Sequence, residues 1–270
     1  MQGACQMLNL EYLLEEAKNN GLPILKRRAI LREYIQVIIL NAIYKHNLGN
    51  LMFFMGGTAM RFFYNLPRFS EDLDFDTPGL RFKEFKDILE DIEKGLAKEG
   101  FTLEISSEKR NNLFVAELYF PDLMRLYEIT DKRGLDLIIK IEVYRPSWEL
   151  RNESAVLSLY GYNFSAILLG KGNLISEKLC ALFNRKRGRD IYDILFMLKK
   201  KFPFNESILL TNNIKGSPKE SIIEYLKELP DKELKSLANQ VKPFLFKEDD
   251  IELVLKAPLY AERFLREYER

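Results

Sequence analysis

Apolar residues recur along the chain with two different periods, and the places where the period changes divide it into elements. Between residues 8 and 47 the spacing is helical, interrupted once at Asn19-Asn20-Gly21-Leu22-Pro23. After that break Ile30, Tyr34, Val37, Ile38 and Ala42 fall on one stripe. The apolar run 51–55 reads as a buried strand that stops at the pair Gly56-Gly57, and 58–64 suits a helix ending before Pro67. From Asp72 to Asp76 polar and apolar residues alternate as on a strand, until Thr77-Pro78-Gly79 breaks the pattern. Residues 82–99 return to helical spacing through Phe85, Ile88, Leu89, Ile92 and Leu96, with Gly100 as a natural cap. Strand-like segments follow at 101–106, 113–119 and 135–144, the last rich in β-branched residues.

After Pro146 the pattern changes. Residues 174–183, 190–200, 218–229, 231–241 and 247–268 all suit helices, and the only strand-like stretch is a short one near 166–169. Strands among helices, then helices alone, predict an α/β (α+β) chain: a mixed sheet with helical cover over 1–155, followed by a helical domain over 156–270. No internal repeat, low-complexity tract or long linker separates them.

Composition narrows the chemistry. The chain has 270 residues, 47% hydrophobic and 30% charged, which is enough to bury one large or two modest cores and excludes a largely disordered protein. Its 41 basic and 40 acidic residues leave a formal charge of +1, so no bulk field recruits nucleic acid or membrane, and any polyanion site is a local patch. No apolar run approaches the roughly 20 residues that a spanning helix needs. The first twenty residues turn acidic before a cleavable apolar core forms, so a cytoplasmic protein with no membrane partner is expected. Cys5 and Cys180 lie far apart without metal-ligand spacing and read as two free thiols. The single histidine, His46, reads as a surface or helix-end residue; a multi-histidine metal site is excluded, and a Ser/His/Asp triad would need this one. Chemistry here rests on carboxylates, lysine, arginine or hydroxyls.

The stretch GGTAMRFFYNLPRFSEDLDFD, residues 56–76, concentrates those groups. On a strand Asp72, Asp74 and Asp76 share one face and Leu73 and Phe75 the other. Acids brought together in this way repel unless they face solvent on an edge strand or share a cation, and carboxylates suit a divalent ion that also binds substrate phosphates. Gly56-Gly57-Thr58, between a strand and a helix, is either a tight turn or a place where backbone amides and a helix N-terminus cradle an anion. In DLIIKIEVYRP, Asp136, Lys140 and Glu142 fall on one strand face. Glu142 is the candidate third acid, with Asp136 competing and an ordinary charged face as the alternative. Lys178 sits in the middle of an apolar helical stripe formed by Leu174, Ile175, Ala181 and Leu182, where a lysine either snorkels outward or pairs with an anion. Asp190 and Asp193 are helical neighbours near a helix start, where acids are favoured in any case. Arg185, Lys186, Arg187 and Arg189 form a basic cluster, read either as a solvated loop or as a holder of phosphates.

GGTAMRF followed by RFSEDLDFD resembles the first motif of the nucleotidyltransferase superfamily that includes DNA polymerase β, and more narrowly the AbiEii/AbiGii-type toxins of abortive-infection and type IV toxin–antitoxin systems. EKLCALFNRKRGRDIYDIL is similar to the distal motifs of that family. The resemblance implies a nucleotidyltransferase-like sheet domain and a helical domain that supplies Lys178 and Asp190 across a cleft. It further implies that Asp72 and Asp74, with Glu142, hold Mg²⁺ or Mn²⁺, and that Gly56, Gly57 and Thr58 hold the phosphates of an NTP. Arg61, Ser70, Arg189 and Asp193 are further nucleotide-binding candidates. The implied reaction moves a nucleoside monophosphate to an acceptor hydroxyl on RNA, such as tRNA, or on a protein, with a cognate antitoxin as partner. A kinase-like phosphotransferase and a non-catalytic nucleotide-binding protein of the same fold stay open at this point.

Overall fold

A computed structural model describes residues 8–132 and 134–268. Cys5 lies outside the described residues. The chain forms two compact units. One takes the chain up to Tyr64, with Phe69–Ser147 and Asn152–Leu168; the other takes Asn65–Arg68, Trp148–Arg151 and the chain from Leu169 onward.

The first unit holds helices α1 (Leu10–Asn19), α2 (Arg27–Lys45), α3 (Gly56–Tyr64), α4 (Phe82–Lys98) and the short α5 (Leu123–Leu126). Its strands are β1 (Phe53–Met55), β2 (Leu73–Asp76), β3 (Glu104–Arg110), β4 (Leu113–Phe120), β5 (Leu137–Tyr144), β6 (Asn152–Leu159) and β7 (Tyr162–Leu169). They form one mixed sheet in the order β3-β4-β5-β2-β1-β7-β6. The central strand β2 runs antiparallel to β1 and parallel to β5, and β1 runs parallel to β7. Asn9 caps α1 by accepting from Tyr12 N at 2.8 Å, and Glu84 closes the start of α4 by accepting from Arg81 N at 2.8 Å. His46 ends α2, where its Nδ1 accepts from Leu48 N at 3.1 Å.

The pleat sets which side chains reach the core. Leu73, Phe75, Ile139, Ile141 and Val143 are buried, with the Phe54 and Phe75 rings 5.1 Å apart. Asp74, Lys140 and Glu142 alternate with them and are only partly buried. Asp76 lies on the same face as Asp74 by the pleat and is fully buried at the end of β2. No helix among the described residues is long and apolar enough to cross a membrane.

The second unit is helical: α6 (Lys171–Asn184), α7 (Gly188–Lys199), α8 (Glu206–Thr211), α9 (Pro218–Glu228), α10 (Asp231–Val241), α11 (Glu252–Leu255) and α12 (Ala257–Tyr268). Helix α7 is its centre, packing Ile191, Ile194, Leu195 and Leu198 among α6, α10 and α12. Cys180 on α6 is a free, buried thiol, and burial pushes its pKa up to about 11.

Three expectations need correction. Residues 152–169 form the β6–β7 pair rather than one short strand. The reason is legible in the backbone: Tyr160 and Gly161 both take positive φ, 50° and 79°, and turn the chain in two residues. Residues 247–268 are broken rather than one helix, because Lys256 leaves helical geometry at φ −114° and Pro258 starts a fresh turn in α12. The strand expected at 101–106 begins at Glu104 and runs to Arg110, drawn out by its pairing with β4.

Candidate active site

The glycine turn and the acidic strand meet in the first unit. Strand β1 ends at Met55 and α3 starts at Gly56 with no residue between them. Met55 is level with Asp74 in the β1–β2 register, which brings the aspartate beside the turn. Gly56 has φ +75°, and a Cβ built on it would lie 2.3 Å from Asp74 Oδ2. Only a residue without a side chain lets that carboxylate lie against the backbone at the start of a helix, where N–H groups are unpaired within the helix.

The segment leading into β2 is held from two helices. Thr58 Oγ1 on α3 donates to Asp72 O at 2.5 Å. From α2, Gln36 Nε2 donates to Glu71 O at 2.9 Å and to Ser70 O at 3.3 Å, and Arg32 Nη1 donates to Glu71 Oε1 at 2.9 Å. Asp72 precedes β2 and Asp74 lies within it, both partly exposed.

Register separates the two candidates for a third acid. In the parallel β2–β5 pair Asp74 is level with Glu142. Asp136 lies before β5 and accepts from Tyr119 Oη at 2.5 Å and from Asp122 N at 2.9 Å; the Tyr119 hydrogen bond in particular holds its carboxyl below the usual range. Glu142 is met by the ammonium of Lys140, two residues earlier on the same face. Among the described residues no three of His, Cys, Asp and Glu gather at metal-binding spacing. The donor set nonetheless fits a hard divalent ion, since Mg²⁺ is commonly held by one or two carboxylates together with substrate phosphates.

Two other sequence candidates in this unit have structural partners. Arg61 is buried and donates from Nε to Glu33 Oε1 at 2.8 Å and from Nη2 to Glu33 Oε2 at 3.3 Å. Burial pushes the Glu33 carboxyl up despite the facing guanidinium. Ser70 is buried beside Gln36, with its carbonyl taken by that amide.

The distal candidates meet within the second unit. Lys178 Nζ on α6 lies 3.4 Å from Asp190 Oδ1 and 3.2 Å from Asp193 Oδ2, both on the first turns of α7. Arg185 Nε reaches Asp190 Oδ2 at 3.1 Å. Arg68, which sequence reasoning missed, donates from Nε and Nη2 to the two oxygens of Asp193, each at 2.7 Å. Burial acts to raise the Asp193 carboxyl, but the charges of Arg68 and Lys178 outweigh it and hold the group below its ordinary value. Nothing periodic surrounds Arg68; its only signal is a cation between Pro67 and Phe69 in an otherwise apolar stretch. In the basic cluster, Lys186 pairs with Glu233 at 3.2 Å and Arg189 lies 4.6 Å over the Phe244 ring.

Comparison with known proteins gives the fold and the family. The fold is shared with the crystal structure of JHP933 from Helicobacter pylori, at 20% identity and TM-score 0.59 over 90% of this chain and 94% of that one. It is shared also with a candidate nucleotidyltransferase from H. pylori, at 21% identity and TM-score 0.59 over 90% and 96%. A search of curated proteins gives no match. The protein is a nucleotidyltransferase. Specifically, it belongs to the AbiEii family, described as "Nucleotidyl transferase AbiEii toxin, Type IV TA system", which matches residues 38–251.

Proposed function

We propose that the face formed by β2 and β5 beside Gly56 transfers a nucleoside monophosphate from an NTP to an acceptor hydroxyl and releases pyrophosphate. The observation that carries this reading is the approach of Asp74 to Gly56, where an added Cβ would meet Asp74 Oδ2 at 2.3 Å. An anion-binding turn thereby abuts a carboxylate, and a metal-bound triphosphate is the ligand that needs both.

Asp72 and Asp74, with Glu142, would hold Mg²⁺ or Mn²⁺, which when bound neutralises phosphate charge. Gly56, Gly57 and Thr58 offer backbone N–H groups to the phosphates and orient the α-phosphorus. The acceptor oxygen bonds to that phosphorus as the bond to the β-phosphate oxygen breaks. Glu142 takes the hydroxyl proton, and pyrophosphate leaves. Within the second unit, Lys178 is the candidate phosphate-binding cation of the distal motifs, with Asp190 and Asp193 orienting its ammonium. The type IV toxin–antitoxin family supports a cognate antitoxin as partner; the acceptor in this reading is RNA, tRNA first, or a protein, and the reaction takes place in the cytoplasm.

Incubation with Mg²⁺, total cellular RNA and NTPs labelled at either the α or the γ position tests the reading. Label on RNA from the α position is expected. Label on any acceptor from the γ position alone would mark a kinase-like phosphotransferase and contradict it.

A further inference from the structure

The face that carries Asp72, Asp74 and Glu142 also carries a lysine that none of the roles above uses. Lys140 precedes Glu142 by two residues on β5, so both side chains leave the same side of the sheet, and its ammonium pairs with the Glu142 carboxylate. The neighbouring strands add to this. Glu117 on β4 is level with Lys140, and the β2–β5 register, carried one residue back from Leu73 and Ile141, brings Asp72 level with it on the other side. Asp72 and Glu117 both favour the charged Lys140, behind the larger effect of the Glu142 hydrogen bond. One ammonium thus stands among three carboxylates, with Asp74 in the next row.

The pair is open to solvent. The Lys140 and Glu142 side chains are 36% and 32% exposed, so water reaches both and neither is locked by packing. An ammonium and a divalent cation both seek the Glu142 oxygens and repel each other, so they compete for that carboxylate.

We propose that Lys140 is a resident counter-ion of the catalytic face, which holds Glu142 while the divalent ion is absent and must release it for the ion to enter. This rests on the reading of that face as the metal–nucleotide site. Metal binding before nucleotide arrives is therefore weakened by the protein's own lysine, and Lys140 acts through Glu142 as a positioning residue.

The test is Mn²⁺ affinity without nucleotide, followed by the electron paramagnetic resonance of free Mn²⁺, for the wild type, Lys140→Met, Lys140→Gln, Lys140→Arg and Asp74→Asn. Both neutral variants are expected to bind Mn²⁺ on the order of tenfold more tightly, as removal of a nearby like charge predicts. Lys140→Arg, which keeps the charge, is expected to stay at wild-type affinity. Unchanged or weaker binding in both neutral variants, with Asp74→Asn losing the ion, overturns the counter-ion role and leaves the metal site standing. Full Mn²⁺ binding by Asp74→Asn overturns the metal reading of this face and the counter-ion role with it.

Discussion

At the scale of single residues, what a charged side chain touches decides what it can do. Arg61 and Lys178 are both cations in apolar helical surroundings, yet Arg61 closes a core pair with Glu33, while Lys178 bridges two aspartates, Asp190 and Asp193. Gly56 is a constrained position in the candidate site, since its φ of +75° strains any side chain and an added Cβ would have to displace the Asp74 oxygen. Gly56→Ala is expected to cost about 1–3 kcal/mol in stability from backbone strain. The larger effect is on chemistry: displacing the Asp74 carboxylate by about 1 Å lowers nucleotidyl transfer on the order of 100-fold. Thermal melts and initial rates of pyrophosphate release check both, and a folded variant with wild-type rates would refute the assigned role of the turn.

At the scale of elements, α6, α7 and the short segment Asn65–Arg68 are tied together by Asp193, whose partners Lys178 and Arg68 come from the other two. The Asp193 carboxyl titrates below its ordinary value of 3.8 in the folded protein, so its stabilisation is complete above about pH 4 and is lost as pH falls through the lower folded value. Asp193→Asn removes a buried carboxylate that faces both Arg68 and Lys178 and is expected to cost roughly 3–5 kcal/mol at neutral pH. It also flattens the loss of stability below about pH 4. Melting curves from pH 7 to pH 2.5 separate the two effects, and an unchanged acid limb would contradict the assignment. The long helices of both units were legible because their apolar stripes are wide, as in α4 with Phe85, Ile88, Leu89, Ile92 and Leu96 all buried. The β6–β7 pair was not legible, because β6 is an edge strand whose exposed Asn152, Glu153 and Ser154 erase the alternation, and its turn begins with a tyrosine instead of Asn or Asp.

At the scale of the whole molecule, the candidate acidic face was legible in the sequence but the partners that hold it were not. Period-two alternation was enough to put Leu73 and Phe75 in the core and Asp74 opposite them. Strand alternation named Glu142 as a candidate beside Asp136, but its place level with Asp74 appears only in the β2–β5 register, and the pairing of Arg68 with Asp193 spans 125 residues of chain, beyond what spacing encodes. The central claim is that the carboxylates beside Gly56 receive a divalent ion and a triphosphate together. Anomalous diffraction from crystals grown with Mn²⁺ and non-hydrolysable NTP analogues tests it most directly. The account predicts an Mn²⁺ peak against Asp72 and Asp74 with phosphates at the backbone of Gly56, Gly57 and Thr58; an ion or nucleotide bound only elsewhere would contradict it.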